Sequence, residues 1–367
     1  MCGYELNINK IADERSLIEE FMSEHDNNLI PVFLWGGGAG VQWYISFCNT
    51  LDVTIEGIID SNRKGTINSI PILSFEECLQ QYENAIILIS APKYRKDIER
   101  TIHDNSKYVC YSLDPTCYVL HGRSIEEKRK YYTDNMDRIQ NIFEKLSDQI
   151  SKETFENYIC GNITNSCDLY AENCTDNQYM VDCIMSHISE QEVFVDVGAF
   201  QGDSIKEFDN AVAHIFKKIY AFEPDKVNYD ILINEVKDGR ITTLNKGCGK
   251  RKESVSFYHN TDSLEGSKVC CDSKLASDTI EVTTLDEEIE EKITFIKMDV
   301  EGMELDALTG AQNLIKNYKP KLAISIYHKM EDIIDIPEYI LSLRPDYTLY
   351  VRHFWDCNGT DTILFAI

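Results

Sequence analysis

Twice in this chain a short apolar run breaks on a glycine-rich turn, passes through a helical stretch, and returns as a second apolar run ending on an acidic residue. The first instance is Ile30 to Trp35, then Gly36-Gly37-Gly38-Ala39-Gly40, then Val53 to Ile59 ending at Asp60. The second is Val193 to Val197, then Gly198-Ala199-Phe200-Gln201-Gly202, then Lys218 to Phe222 ending at Glu223. Strands that alternate with helices demand parallel pairs joined by crossovers, so the pattern predicts two α/β units.

The predicted organisation is a Rossmann-like α/β domain over 1–120, a packed helical connector over 121–187, and a doubly wound α/β sheet over 188–367. Helical spacing of Ile139, Ile142, Phe143 and Leu146, with no Gly/Ser or Pro linker nearby, argues for the connector. Further strands are expected at 85–90 and 108–113 in the first unit. In the second they are expected at 241–245, 254–258, 280–282, 293–298, 322–327, 347–351 and 362–366. No helix separates the last two, which predicts a hairpin at the sheet edge and antiparallel final strands.

Charge narrows the function classes. With 36 Lys and Arg against 62 Asp and Glu, the net charge is −26, a field that repels phosphate backbones and anionic lipid. No nucleic-acid partner is expected. No apolar run reaches the ~18 residues that cross a bilayer, and Met1 to Glu20 is polar without a signal-peptide pattern, so no membrane insertion is expected. A cytoplasmic location follows as an expectation, with the 13 cysteines read as reduced thiols.

In an open α/β sheet a ligand sits beyond the carboxyl ends of the strands, at the switch point. Gly198 and Gly202 fall just past one such end, and Glu223 ends the next strand, where a carboxylate can accept two hydrogen bonds from ribose hydroxyls. The turn lacks the G-x-G-x-x-G that seats a pyrophosphate. Asp196 and Asp203 would repel a pyrophosphate and suit a sulfonium, which favours S-adenosylmethionine over a dinucleotide. The competing reading is a structural turn with a solvated acidic rim. Phe295 to Met298 delivers Asp299 and Glu301 to the same edge, able to bind an ammonium, hold a divalent cation or act as acid and base. Glu304 fits better as a charge at a helix start. Ala323 to Tyr327 delivers His328, a suitable general base near neutral pH.

These segments together resemble the FkbM family of S-adenosylmethionine-dependent methyltransferases. The matching blocks are 192–204, Tyr220-Ala221-Phe222-Glu223-Pro224, Val282-Thr283-Thr284-Leu285-Asp286, 296–304 and Tyr327-His328, with Gln178-Tyr179 upstream. The resemblance covers about Cys174 to Ile367. It implies a class I methyltransferase fold and methyl transfer to a hydroxyl of a sugar, glycan or secondary-metabolite acceptor. Carried over by position, it implies cofactor residues Asp196, Gly198, Ala199, Gly202, Ser204, Glu223 and Asp299. It places Asp299, Glu301 and His328 at the reaction edge, with His328 or an adjacent carboxylate as base. A divalent metal stays open, and so does the oligomeric state.

The other features carry less. Gly36 to Gly40 with Asp60 is a degenerate dinucleotide fingerprint, which disfavours an NAD-dependent oxidoreductase and leaves nucleotide-sugar binding, docking or a structural role. An alternative for the whole chain is therefore a non-catalytic cofactor- or nucleotide-sugar-binding scaffold in glycan assembly. Cys160, Cys167, Cys174 and Cys183, spaced by seven, seven and nine, read as thiols on a helix face rather than a zinc site; Cys270-Cys271 reads as incidental. His353-Phe354-Trp355 either overhangs the acceptor pocket or caps the terminal hairpin.

Overall fold

A computed structural model describes residues 5–7, 15–38, 40–258, 268–269, 278–354 and 358–367. The chain divides into two compact units: Met1–Ile139, Glu153–Cys174 and Trp355–Thr360 form the first, and Gln140–Lys152, Thr175–Phe354 and Asp361–Ile367 the second. The helical stretch expected as a connector is shared between them, 121–139 and 153–174 clustering with the first unit and 140–152 and 175–187 with the second.

In the first unit, β1 (Val32–Trp35), β2 (Ile55–Ile59), β3 (Thr66–Ile67), β4 (Ile70–Leu73), β5 (Ile86–Ile89) and β6 (Val109–Tyr111) make a six-stranded sheet in the order β3-β4-β2-β1-β5-β6. Only the β3–β4 pair is antiparallel; that short hairpin is not marked by any periodic apolar run. β1 and β5 are apolar throughout because both sheet faces are covered, as parallel strands require. Helices here begin at Ser16, Ser74 and Ser124, each closing a capping box with a glutamate three residues on.

The second unit contains β7 (Val193–Val197), β8 (Lys218–Phe222), β9 (Ile241–Leu244), β10 (Gly247–Cys248), β11 (Glu253–Tyr258), β12 (Lys268–Val269), β13 (Asp278–Thr283), β14 (Phe295–Met298), β15 (Lys321–Ser325), β16 (Leu349–His353) and β17 (Thr362–Ala366). Seven of these form the main sheet in the order β16-β17-β15-β14-β7-β8-β9. β17 runs antiparallel to both neighbours, wedged between β15 and β16, so one strand of the expected hairpin is interior and the other is the edge. β11 and β13, expected among the main strands, instead pair antiparallel in a separate four-stranded sheet, β10-β13-β11-β12. Strand periodicity identifies a strand without saying which sheet recruits it.

Packing fixes the sheet on its helices. Phe194 of β7 stacks on Phe208 of helix Asp203–Ala211 at 4.6 Å and on Phe295 of β14 at 4.9 Å. Each of these rings is fully buried and contributes about 1.5–3 kcal/mol. This cluster holds the helix that follows the glycine turn against the strands whose tips carry the polar residues.

Candidate active site

β8, β7, β14 and β15 are neighbours and parallel, so Glu223, the Gly198 turn, Asp299 and His328 all emerge at one carboxyl edge. The turn is anchored to β8 by hydrogen bonds from the Gly198 and Ala199 N–H groups to the Phe222 carbonyl, 3.0 and 2.9 Å. Gly198 and Gly202 sit at φ +83° and +90°, and even Phe200 between them is left-handed at +46°. A Cβ on Gly198 would lie 1.9 Å from the Asp299 carbonyl oxygen. The missing side chain therefore lets the turn pack on β14, a need internal to the protein.

Glu223 closes the turn from the other side. Its Oε2 accepts the Phe200 N–H at 2.9 Å and its Oε1 the Asp225 N–H at 2.8 Å, which leaves each oxygen a lone pair. Burial pushes its carboxyl up to about 8 against these two hydrogen bonds. The first unit repeats the device: Asp60 accepts the Gly37 N–H at 2.8 Å through Oδ2 and the Asn62 N–H at 2.8 Å through Oδ1. Asp60 is more open to water, and hydrogen bonds outweigh the burial that opposes its charge, so its carboxyl titrates below the usual range.

Asp196 does not line the turn. It is wholly buried, with Oδ1 3.0 Å from the Lys297 ammonium and Oδ2 accepting the Ser204 hydroxyl at 2.5 Å. Lys297 also donates to the Gly198 carbonyl at 2.6 Å. Asp196 thus positions the turn through Lys297, and its charge is spent inside the sheet. Burial opposes the Lys297 charge, but Asp196 and then Asp299 outweigh it and hold the ammonium protonated. Ser204 and Ala199 are equally enclosed, so of the residues expected at the cofactor, Gly198 and Glu223 line the turn, Gly202 shapes it, and Asp299 lies beside it.

Asp299 and Glu301 reach the edge with side chains 23% and 35% exposed, above a His328 that is almost closed off. Asp299 Oδ2 accepts the Tyr179 hydroxyl at 3.0 Å and Oδ1 the Tyr327 hydroxyl at 3.3 Å. His328 Nε2 lies 3.6 Å from Asp299 Oδ1 and from Glu301 Oε2, while Nδ1 is 2.9 Å from Glu304 Oε1. Burial opposes a charge on His328, yet Glu304, Asp299 and Glu301 raise it to about 10. Burial likewise opposes the charge on Asp299, and His328 and Lys297 reverse the effect and hold its carboxyl below the usual range.

Lys297, Glu304 and Tyr179 are site residues that sequence reasoning missed. Lys297 had a signal: a lysine inside Phe295-Ile296-Lys297-Met298 must find a buried anion, and its register partner is Asp196. Glu304, read as a helix-start charge, is fully buried and also accepts the Val300 N–H at 2.8 Å. His353 and Phe354 cap the terminal hairpin: His353 is buried against the Thr362 hydroxyl at 2.8 Å and Phe354 packs on Phe365. Trp355, Cys270 and Cys271 lie outside the described residues. Cys160, Cys167 and Cys183 fall on three different helices and Cys174 on none, so they share no helix face; the first helix stops at Thr164, before a left-handed Asn165.

The order of the main sheet, with its antiparallel β17 wedged beside β15, is that of the class I methyltransferase fold. Residues 196–347 match the family model of the methyltransferase FkbM domain. The matched region lies in the second unit and supports methyltransferase activity there. The chain is similar in fold to the crystal structure of methyltransferase FkbM from Methylobacillus flagellatus KT, at TM-score 0.74 and 22% identity over 99% of this chain and 96% of that one. A putative rRNA-methylase from Clostridium thermocellum aligns with 50% of this chain and 90% of its own, at 11% identity and TM-score 0.34. A putative methyltransferase from Streptococcus mutans in complex with SAH aligns with 50% and 92%, at 13% identity and TM-score 0.32. No curated protein matches the sequence.

Proposed function

We propose that the second unit transfers the methyl group of S-adenosylmethionine to a hydroxyl of a sugar, glycan or secondary-metabolite acceptor. One observation carries the reading: Glu223, its two oxygens each with a lone pair left, shares a sheet edge with Asp299 and Glu301 across the Gly198 turn. Glu223 suits the vicinal hydroxyls of the ribose, and the surplus of carboxylates suits a sulfonium and an ammonium. When bound, the cofactor supplies a methyl group already activated by its positive sulfur.

The protein's own part is alignment and proton handling. Asp299 and Glu301, the partly open carboxylates, hold the acceptor hydroxyl and take its proton, a contribution of typically ~10²–10⁴-fold. His328, closed off and kept cationic, positions them instead of acting as the base itself. Tyr179 and Tyr327 fix the Asp299 carboxylate in place.

The test is conversion of S-adenosylmethionine to S-adenosylhomocysteine with a panel of hydroxylated acceptors, alongside calorimetry with S-adenosylmethionine and with NAD. Acceptor-dependent turnover is expected. Cofactor binding without turnover on any acceptor would favour a scaffold, and binding of NAD alone would overturn the reading.

A further inference from the structure

On the reading of this edge as a methyl-transfer site, we infer that Asp361 and Gln178 anchor the acceptor by a second hydroxyl on the same ring as the one methylated, which makes the acceptor an uncharged sugar or other polyhydroxylated ring. Transfer in line with the breaking bond to sulfur puts the donor and the acceptor oxygen on opposite sides of the methyl group. On that reading Glu223 and the Gly198 turn take the donor on the β8 and β7 side of Asp299. The acceptor is left with the β15 and β17 side.

Strand register carries Asp361 to that side. β17 pairs antiparallel with β15, Ser325 opposite Ile363, and the ladder continues through the Ile326 N–H to the Thr362 carbonyl at 3.0 Å. In the same register Asp361 comes opposite Tyr327, whose hydroxyl donates to Asp299 Oδ1 at 3.3 Å. Gln178 and Tyr179 bridge the same two carboxylates: the Gln178 amide donates to Asp361 Oδ1 at 2.6 Å and the Tyr179 hydroxyl to Asp299 Oδ2 at 3.0 Å. Burial, then the charges of Asp299 and Asp361, push both tyrosine hydroxyls well above their ordinary range. Asp361 is therefore within electrostatic reach of the two groups that hold Asp299.

The chemistry of the pair selects the acceptor. Asp361 and Gln178 are both partly exposed, and the Gln178 carbonyl accepts no hydrogen bond among the described residues. A carboxylate beside an amide offers acceptors and a donor together, which suits a hydroxyl that both gives and receives a hydrogen bond. Adjacent strands lie about 4.8 Å apart, so about 10 Å separates the ends of β14 and β17 that carry Asp299 and Asp361. A hydroxylated ring hydrogen-bonded at both ends spans that gap, whereas a lone alcohol or a phenol reaches one end only. Asp299, Glu301 and Asp361 together repel a phosphate or carboxylate on the ring.

The test uses the full chain with S-adenosylmethionine and a panel of methyl hexosides and myo-inositol, set against cyclohexanol and phenol, read as S-adenosylhomocysteine formed. At least one hydroxylated ring is expected to exceed both single alcohols by about 10²-fold or more in kcat/KM. Asp361→Asn should cut that preference by about 10–100-fold and Gln178→Leu by about tenfold, the loss of a hydrogen bond at a charged group. Calorimetry on the same variants should find S-adenosylmethionine affinity unchanged, because neither residue lies on the donor side. Gln178 is partly exposed, so its variant reports even if Asp361→Asn fails to fold. An unchanged preference in the folded variants would overturn the inference, as would phenol or cyclohexanol turned over as well as the rings; methyl transfer would stand in either case. Cofactor affinity lost together with the preference would place Asp361 on the donor side and overturn it too. Cofactor bound without turnover of any acceptor would instead remove the methyl-transfer reading, and the anchor with it.

Discussion

The two ends of the seven-stranded sheet handle buried charge in opposite ways. At the amino end, Glu192 is enclosed and its oxygens are fully served, by Lys321 at 3.0 and 3.1 Å, the Thr294 hydroxyl at 2.5 Å and the Ser189 N–H at 2.9 Å. At the carboxyl end, Asp299, Glu301, Glu304 and Glu223 crowd around His328 and the Gly198 turn, and Lys297 is already taken by Asp196. The first arrangement is closed and does structural work. The second crowds four carboxyl groups at one edge with His328 as the cation among them, and perturbed groups of that kind cluster where a protein binds something.

Substitution at the two ends should separate these roles. Asp299→Asn is expected to lower turnover by about 10²–10⁴-fold while the melting temperature moves little. Glu192→Gln should leave turnover per folded molecule unchanged. Kinetics and thermal melting on both variants check the contrast, and equal losses of activity would erase it. Stability should show the reverse. Lys321→Met strands a buried Glu192 and is expected to cost about 3–5 kcal/mol in denaturant unfolding. The double variant Glu192→Gln/Lys321→Met should recover most of that loss, because no unpaired charge remains.

Glycines make a smaller version of the same contrast. Gly198→Ala forces a Cβ into the Asp299 carbonyl at a left-handed position, with an expected cost of about 2–4 kcal/mol and loss of cofactor affinity. Gly239, ahead of β9 at the amino end, meets nothing within 4 Å, so Gly239→Ala should stay within about 0.5 kcal/mol. A stable Gly198→Ala protein with normal cofactor binding would show that the turn has more slack than its packing indicates.

What could be read from the sequence follows the same division. Buried parallel strands are short apolar runs, so β7, β8, β14 and β15 were legible, and residues just past their ends, Glu223, Asp299 and His328, were placed at one edge by topology alone. Side-chain direction was not legible. Asp196 belongs to β7 itself, and its inward turn depends on a lysine about a hundred residues later in sequence, in register on β14. The recruitment of β11 and β13 to a separate sheet rests on antiparallel pairing that their own patterns do not specify. Helix breaks such as the one at Asn165 depend on a single left-handed residue that a seven-residue cysteine spacing cannot reveal.

Glu223 offers the smallest and sharpest test, because its Asp60 counterpart in the first unit titrates in the opposite direction. Burial raises the Glu223 carboxyl from 4.5 to about 8, so the folded protein holds that proton more tightly than the unfolded chain does. Its contribution to stability is therefore complete below the unfolded value and is lost as pH rises through about 8. Ribose hydroxyls donate to the ionised form and favour it. Cofactor affinity should accordingly climb between about pH 6 and about pH 9, by several-fold, as calorimetry would record. Glu223→Gln removes the titrating group, so its affinity should be weaker and flat over the same range. A pH-independent wild-type affinity would mean that the ribose is held by something other than this carboxylate, and the likeness between the two turns would then concern loop packing alone.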